Sequence, residues 1–98
     1  MTITKNKNQS QLTVAVEGRL DTVTAPQLEG ELKSSLDGVT ALTLDFAKLE
    51  YISSAGLRVL LSAQKIMNKQ GSMKVVNVND TINEIFEVTG FSDILDIG

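Results

Sequence analysis

The sequence predicts a small α/β domain: a mixed β-sheet of four to five strands, with about three to four helices packed mainly on one face. Three observations carry this. Apolar residues alternate with period two in some stretches and recur at three to four residues in others, and the two patterns take turns along the chain. Helical crossovers between successive strands favour parallel pairing with right-handed connections. The strands alternate in polarity instead of being apolar throughout, so one sheet face is expected to be less covered than in a doubly wound fold.

The elements follow in order. Thr2–Asn6 reads as a short edge strand, and Gln11–Gly18 sets Leu12, Val14 and Val16 against Gln11, Thr13, Ala15 and Glu17. A helix follows: Thr24 and Gln27 match a capping box, Pro26 falls within the first turn, where its missing N–H costs nothing, Leu28, Leu32 and Leu36 recur at i, i+4 and i+8, and Gly38 is the expected stop. Thr40–Leu49 is a strand with Leu42, Leu44 and Phe46 on one face. After the turn Ser53-Ser54-Ala55-Gly56, a helix is expected from about Ala55 to Gln70. Its polar residues Arg58, Ser62, Lys65 and Lys69 fall within roughly 60° of a helical wheel. The remaining arc is apolar, so this helix is expected to be wedged into the core, Leu57 and Leu61 included. Gly71 ends it. Ser72–Val78 is a strand, and Asn79–Gly90 a helix with a Thr81/Glu84 capping box and a face of Ile82, Ile85 and Phe86. Ser92–Ile97 is a last short strand.

Composition narrows the function. At 98 residues the chain is expected to form one domain, residues 1–98, and 42% hydrophobic with 21% charged residues are globular values. No stretch approaches the ~20 apolar residues that span a bilayer, and the N-terminus lacks a signal-peptide pattern, so a cytoplasmic protein with no direct membrane insertion is expected. Cysteine and histidine are both absent. Disulfides, thiolate nucleophiles and Cys- or His-based metal sites are therefore excluded, along with the usual activator of a serine nucleophile. The motifs G-x-S-x-G and G-x-x-x-x-G-K-[ST] do not occur, and no S-x-x-K begins at Ser53 or Ser54. Asp21, Asp45 and Glu50 are too widely spaced to suggest a metal or paired-carboxylate centre. The expectation is no enzyme, no metal and no cofactor. A formal charge of −3 argues against nucleic acid as a partner, since phosphate binding needs a basic footprint.

By residue type alone, Ser53–Gly56 reads first as a helix start: serine is a preferred N-cap, and small residues let a strand-to-helix turn run tightly. A cap needs only one hydroxyl, however. A phosphate on Ser54 would sit at a helix N-terminus, favoured by free N–H groups and the helix dipole by about 0.3–1 kcal/mol, with Arg58 one turn on to pair with it. In an interface shaped for a neutral hydroxyl, the added charge of about −1.5 to −2 would be costly. A hundredfold loss of affinity corresponds to only about 2.7 kcal/mol.

Three stretches, Gly18–Leu32, Leu42–Leu61 and Val88–Leu95, resemble the STAS domain family of bacterial anti-sigma factor antagonists. The likeness covers nearly the whole chain and is most specific from Asp45 to Leu61. It implies a STAS-like mixed sheet. It also implies partner switching: the unphosphorylated protein binds an anti-sigma factor with serine kinase activity, phosphorylation of a serine at the helix start ends the interaction, and a PP2C-type phosphatase reverses it. The family pattern Asp-Ser-[Ser/Thr]-Gly-Leu falls on Ser53–Leu57, which makes Ser54 the implied phosphorylation site. Ser53 replaces the family's acidic residue, and Ala55 the following hydroxyl. Asp21 matches an acidic loop residue beside the site, although it reads equally as a polar turn residue. The expected partner-binding set is Asp21, Thr22, Ser53, Ser54, Ala55, Gly56 and Arg58, with Ser53 as cap and Gly56 allowing close backbone approach. Two other roles fit the same scaffold. One is a non-phosphorylated STAS subunit of a membrane lipid-transport complex, and the other a partner switch acting on a target other than a sigma regulator.

Overall fold

Alternate residues of the central strands are sealed, and this decides the architecture. Leu12, Val14, Val16, Leu42, Leu44, Met73 and Val75 are all buried, while Gln11, Thr13, Glu17, Ser72 and Lys74 between them are exposed. The sheet therefore has one face under the helices and one toward solvent. The computed structural model describes residues 1–98. Its elements are β1 (Thr2–Asn8), β2 (Gln11–Leu20), α1 (Ala25–Ser35), β3 (Ala41–Asp45), β4 (Leu49–Ile52), α2 (Ser54–Gln70), β5 (Ser72–Val76), α3 (Asp80–Thr89), a 3₁₀ turn (Phe91–Asp93) and β6 (Asp96–Ile97). The sheet runs β1-β2-β3-β5-β6, with β4 paired to β2 off this path. β1 is antiparallel to β2, and every other pairing is parallel. The α/β class, the mixed sheet and the element order match the sequence expectation.

The sixth strand is β4, which the sequence pattern did not separate from β3. The expected single strand Thr40–Leu49 breaks at Asp45, whose Oδ1 accepts from the backbone N–H of Ala47 (3.0 Å) and from Asn77 Nδ2 (3.0 Å). That Asx turn takes the chain out of the β3 ladder. It re-enters beside the far half of β2, where Gly18, Arg19 and Leu20 pair with Leu49, Tyr51 and Ile52 across a register shift. β2 thus serves two parallel neighbours in succession, and its C-terminal end is carried beyond the rest of the sheet.

Two expected capping boxes are not used. Thr24 precedes α1 but makes no side-chain cap; its hydroxyl donates to the Arg19 carbonyl (2.8 Å) and accepts from the Asp21 N–H (2.9 Å). At α3 the cap is Asn79 and not Thr81: Asn79 Oδ1 accepts from Ile82 N–H (2.9 Å) while its Nδ2 donates to the Leu49 carbonyl (2.8 Å). Asn79 does two jobs at once, tying the helix start to β4, which Thr81 could not reach. α1 ends at Ser35 and not at Gly38.

α2 is the central helix, burying Gly56, Leu57, Val59, Leu60, Ala63, Gln64 and Met67. Leu57 is core as expected, but Leu61 is only half-buried, because it lies beside the polar stripe at the edge of the buried arc. Gly71 closes the helix against the start of β3. A Cβ there would come within 1.9 Å of the Thr40 carbonyl oxygen, so no side chain fits.

Candidate functional site

The ends of β2 and β4 bring two loops together. Leu20 and Ile52 are cross-strand partners, and the N–H of Ser53 donates to the Leu20 carbonyl (2.9 Å). Asp21 therefore leaves β2 beside the point where Ser53 leaves β4. This is the carboxyl end of the parallel strands, where α/β sheets commonly place binding residues.

On the α2 side, Ser53 is the N-cap. Its backbone is extended (φ −97°, ψ 176°), and its hydroxyl oxygen accepts from Gly56 N–H at 3.4 Å. Ser54 is the first helical residue and is exposed. The two serines have thus divided the work: one hydroxyl caps, and the other lies open at the positive end of the helix dipole. Gly56 is buried where a Cβ would press to 2.8 Å on both Leu20 and Ile52 side chains, so the first turn of α2 sits directly on the two strand ends. Ala55 is half-buried and packs against the core. Arg58 is exposed one turn beyond Ser54. It takes part in neither of the chain's ion pairs, Lys5–Glu31 and Lys33–Glu29.

On the β2 side, Asp21 Oδ1 accepts from the N–H groups of Val23 (3.0 Å) and Thr24 (3.1 Å) and lies 3.2 Å from the Thr24 hydroxyl. The Thr24 N–H first, with the Val23 N–H, the Thr24 hydroxyl and the Arg19 charge, holds its carboxyl below the usual carboxylate range, against an opposing effect of desolvation that ranks second among the causes. The turn-residue reading of Asp21 is therefore realised, with its carboxylate bonded to the loop's own backbone. Thr22 and Val23 stand out from its tip, both exposed.

All seven residues picked from the sequence belong to this junction or to the first turn and a half of α2. Three neighbours were missed. Val23 is 85% exposed, the most exposed large apolar side chain in the chain, and only its exposure marks it out. Arg19 and Tyr51 face each other across β2 and β4, with the guanidinium 4.5 Å from the ring centroid, a cation–π contact worth about 0.5–1 kcal/mol at an exposed site. Their partnership depends on the pairing of β4, which the sequence pattern did not reveal.

The three main surface cavities are lined by residues outside this junction. One of about 280 Å³ lies among Thr2, Thr4, Ala15, Glu17, Asp45 and Lys48. No three acidic side chains converge as a metal site would require. No helix is long and apolar enough to cross a membrane.

Fold and junction together define a class of protein: a small mixed-sheet α/β domain that presents a hydrogen-bonded polar rim at the strand ends, with an open serine at its centre. Comparison with known proteins agrees. The STAS domain family matches residues 2–98, and the chain belongs to that family. It is 36% identical over 99 residues to BtrV of Bordetella bronchiseptica, a protein named as a candidate anti-sigma factor antagonist, covering 99% of this chain and 85% of that one. It is 30% identical over 92 residues to the anti-sigma-B factor antagonist of Bacillus subtilis strain 168, covering 93% and 84%. Among solved structures, the anti-sigma factor antagonist SpoIIAA superposes in its unphosphorylated form with a TM-score of 0.78 at 15% identity, covering 99% of this chain and 87% of that one. The phosphorylated form of Bacillus SpoIIAA gives 0.77 at 16%, covering 99% and 91%. At that identity the likeness concerns the fold, which in SpoIIAA is retained in both states.

Proposed function

We propose that this chain is an anti-sigma factor antagonist that works by partner switching. With Ser54 unmodified, the rim formed by Asp21, Thr22, Ser53, Ser54, Ala55 and Arg58, seated on the strand ends through the buried Gly56, binds an anti-sigma factor that is also a serine kinase. Phosphorylation of Ser54 by that kinase ends the complex, and a PP2C-type phosphatase restores binding. The chain acts in the cytoplasm as a binding module without catalytic activity of its own.

The observation that carries this reading is the division of labour between Ser53 and Ser54. Because Ser53 caps the helix, Ser54 can accept a phosphate without the loss of a structural hydrogen bond. Within the domain, the new charge lies at a helix N-terminus with Arg58 one turn away, where it is stabilised. In a docked complex the same charge meets a surface fitted to a hydroxyl and must be desolvated. The asymmetry between a tolerant domain and an intolerant interface is what a switch needs. The relatives named as anti-sigma factor antagonists supply the target class.

The test compares wild type, Ser54→Ala and Ser54→Asp for binding to the cognate kinase, with the intact mass of the wild type followed after incubation with kinase and ATP. The expected result is that Ala binds as wild type, Asp loses about a hundredfold in affinity, equivalent to about 2.7 kcal/mol, and one phosphate maps to Ser54. Equal binding by all three, or a phosphate mapped elsewhere, would refute the reading.

A further inference from the structure

We infer a second docking surface on α3, made of residues other than those of the Ser54 rim and fitted to a basic amphipathic helix of a partner protein. The surface begins with one stripe of α3. Thr81, Glu84, Ile85, Val88 and Thr89 line a shallow groove of about 260 Å³ along that stripe. Val88 in this groove is 81% exposed, and Ile94, just after the 3₁₀ turn that follows α3, is 46% exposed. With Val23, these are the only large apolar side chains exposed in the chain, and Val23 belongs to the rim already described.

Charge specifies the occupant. All nine Lys and Arg residues lie before Val75, and the remainder of the chain carries Asp80, Glu84, Glu87, Asp93 and Asp96. Each of these five carboxylates is exposed, and none is ion-paired. α3 itself carries Asp80, Glu84 and Glu87 and no Lys or Arg, so its apolar strip is complementary to a helix with apolar residues on one face and Lys or Arg beside them. Nucleic acid and anionic lipid surfaces are repelled by the same charges.

The start of α3 is tied to β4 through Asn79, and the topology carries the Val88–Ile94 half of this surface away from the rim. Ser53 follows the C-terminal end of β4, whereas Val88 to Ile94 connect the end of α3 to β6, which runs parallel to β5. That connection lies at the N-terminal end of the parallel strands. A partner there could stay bound whatever the state of Ser54, so the inference stands apart from the switching reading.

The experiment titrates the full chain, methyl-labelled at Ile and Val, with a 14-residue amphipathic peptide of Lys and Leu and with a matched peptide of Glu and Leu. The Lys peptide is expected to shift Ile85, Val88 and Ile94, to bind at least tenfold more weakly to Val88→Ser, and to bind Ser54→Asp as it binds wild type. Glu84→Gln combined with Glu87→Gln should reduce the salt dependence of its affinity. The Glu peptide should leave these methyls unmoved. Equal shifts with both peptides, shifts centred on Val23 instead, or full binding by Val88→Ser would overturn the inference. So would concentration-dependent movement of the same methyls without peptide, accompanied by self-association in sedimentation, which would assign the groove to the basic stripe of α2 in a second copy.

Discussion

Ser53 and Gly56 are joined by a long hydrogen bond: the Ser53 hydroxyl accepts from the Gly56 N–H at 3.4 Å, beyond the usual range for such contacts of about 2.7–3.2 Å. The helix start is thus capped weakly, by a neutral oxygen, where the family pattern has a carboxylate. A shorter charged acceptor at this position would satisfy the same N–H more strongly and add a favourable interaction with the helix dipole. Ser53→Asp is expected to stabilise the fold by about 0.5–1 kcal/mol, seen as a rise of several degrees in thermal midpoint. Ser53→Ala is expected to cost about 1 kcal/mol. A lower midpoint for the Asp variant would show that the cap is not limiting.

The rim should depend on Val23 as an anchor. An apolar side chain already held out by a hydrogen-bonded loop gains burial on docking at little further ordering cost. Val23→Asp is expected to leave the thermal midpoint within about 0.5 kcal/mol of wild type and to weaken binding to the kinase by at least tenfold. Unchanged affinity, measured by calorimetry, would move the interface away from this loop.

Glycine is required at two places for lack of space. At Gly71 the obstruction is the Thr40 backbone, which cannot rotate away. Gly71→Ala is expected to cost about 3 kcal/mol or more. At Gly56 the obstruction is the Leu20 and Ile52 side chains, which can shift, and alanine also gains helix propensity, so Gly56→Ala is expected to cost about 1–2 kcal/mol. Urea denaturation of the two variants should give that order.

Acid should act through two aspartates. Asp45 has its carboxyl lowered by the Asn77 amide first and the Ala47 N–H second, and Asp21 by the bonds described above. A carboxylate whose pKa is lower in the folded than in the unfolded chain contributes stability that is present above the unfolded value, and the contribution disappears as pH falls through the folded one. Stability is therefore expected to be flat from neutrality down to about pH 5 and to fall below about pH 4. Asp45→Asn should be less stable at pH 7 and should lose less on acidification. A parallel pH profile for that variant would remove Asp45 from the account.

Gln64 is a polar residue in an apolar place. It is 8% exposed, its Nε2 donates to Asn68 Oδ1 at 2.8 Å, and its Oε1 has no partner. Removing an unpaired buried acceptor while keeping the volume relieves a desolvation cost of about 1–3 kcal/mol. Gln64→Met is accordingly expected to be neutral to stabilising in a thermal melt, and a clear loss would mean that Oε1 is satisfied by water.

The hydrophobic pattern of the chain was enough to foretell the class of fold, the order of its longer elements and the strand-to-helix junction at Ser53–Gly56. These follow from local periodicity and from residue types whose preferences need no partner. Residue types around Ser54, with Asp21 added by the family likeness, picked out the residues that the fold gathers at this junction. β4 escaped notice because four residues are too few to show a period, and their pairing depends on how far β2 extends beyond β3. The caps went to Ser53 and Asn79, while Thr24 and Thr81 went without, because a hydroxyl or amide takes whichever donor or acceptor the folded neighbours place within reach. Exposure of Val23 and Val88, the stacking of Arg19 on Tyr51 and the lack of room at Gly71 were decided by tertiary structure alone. Each is a relation between surfaces far apart in the chain, and no local preference contains it.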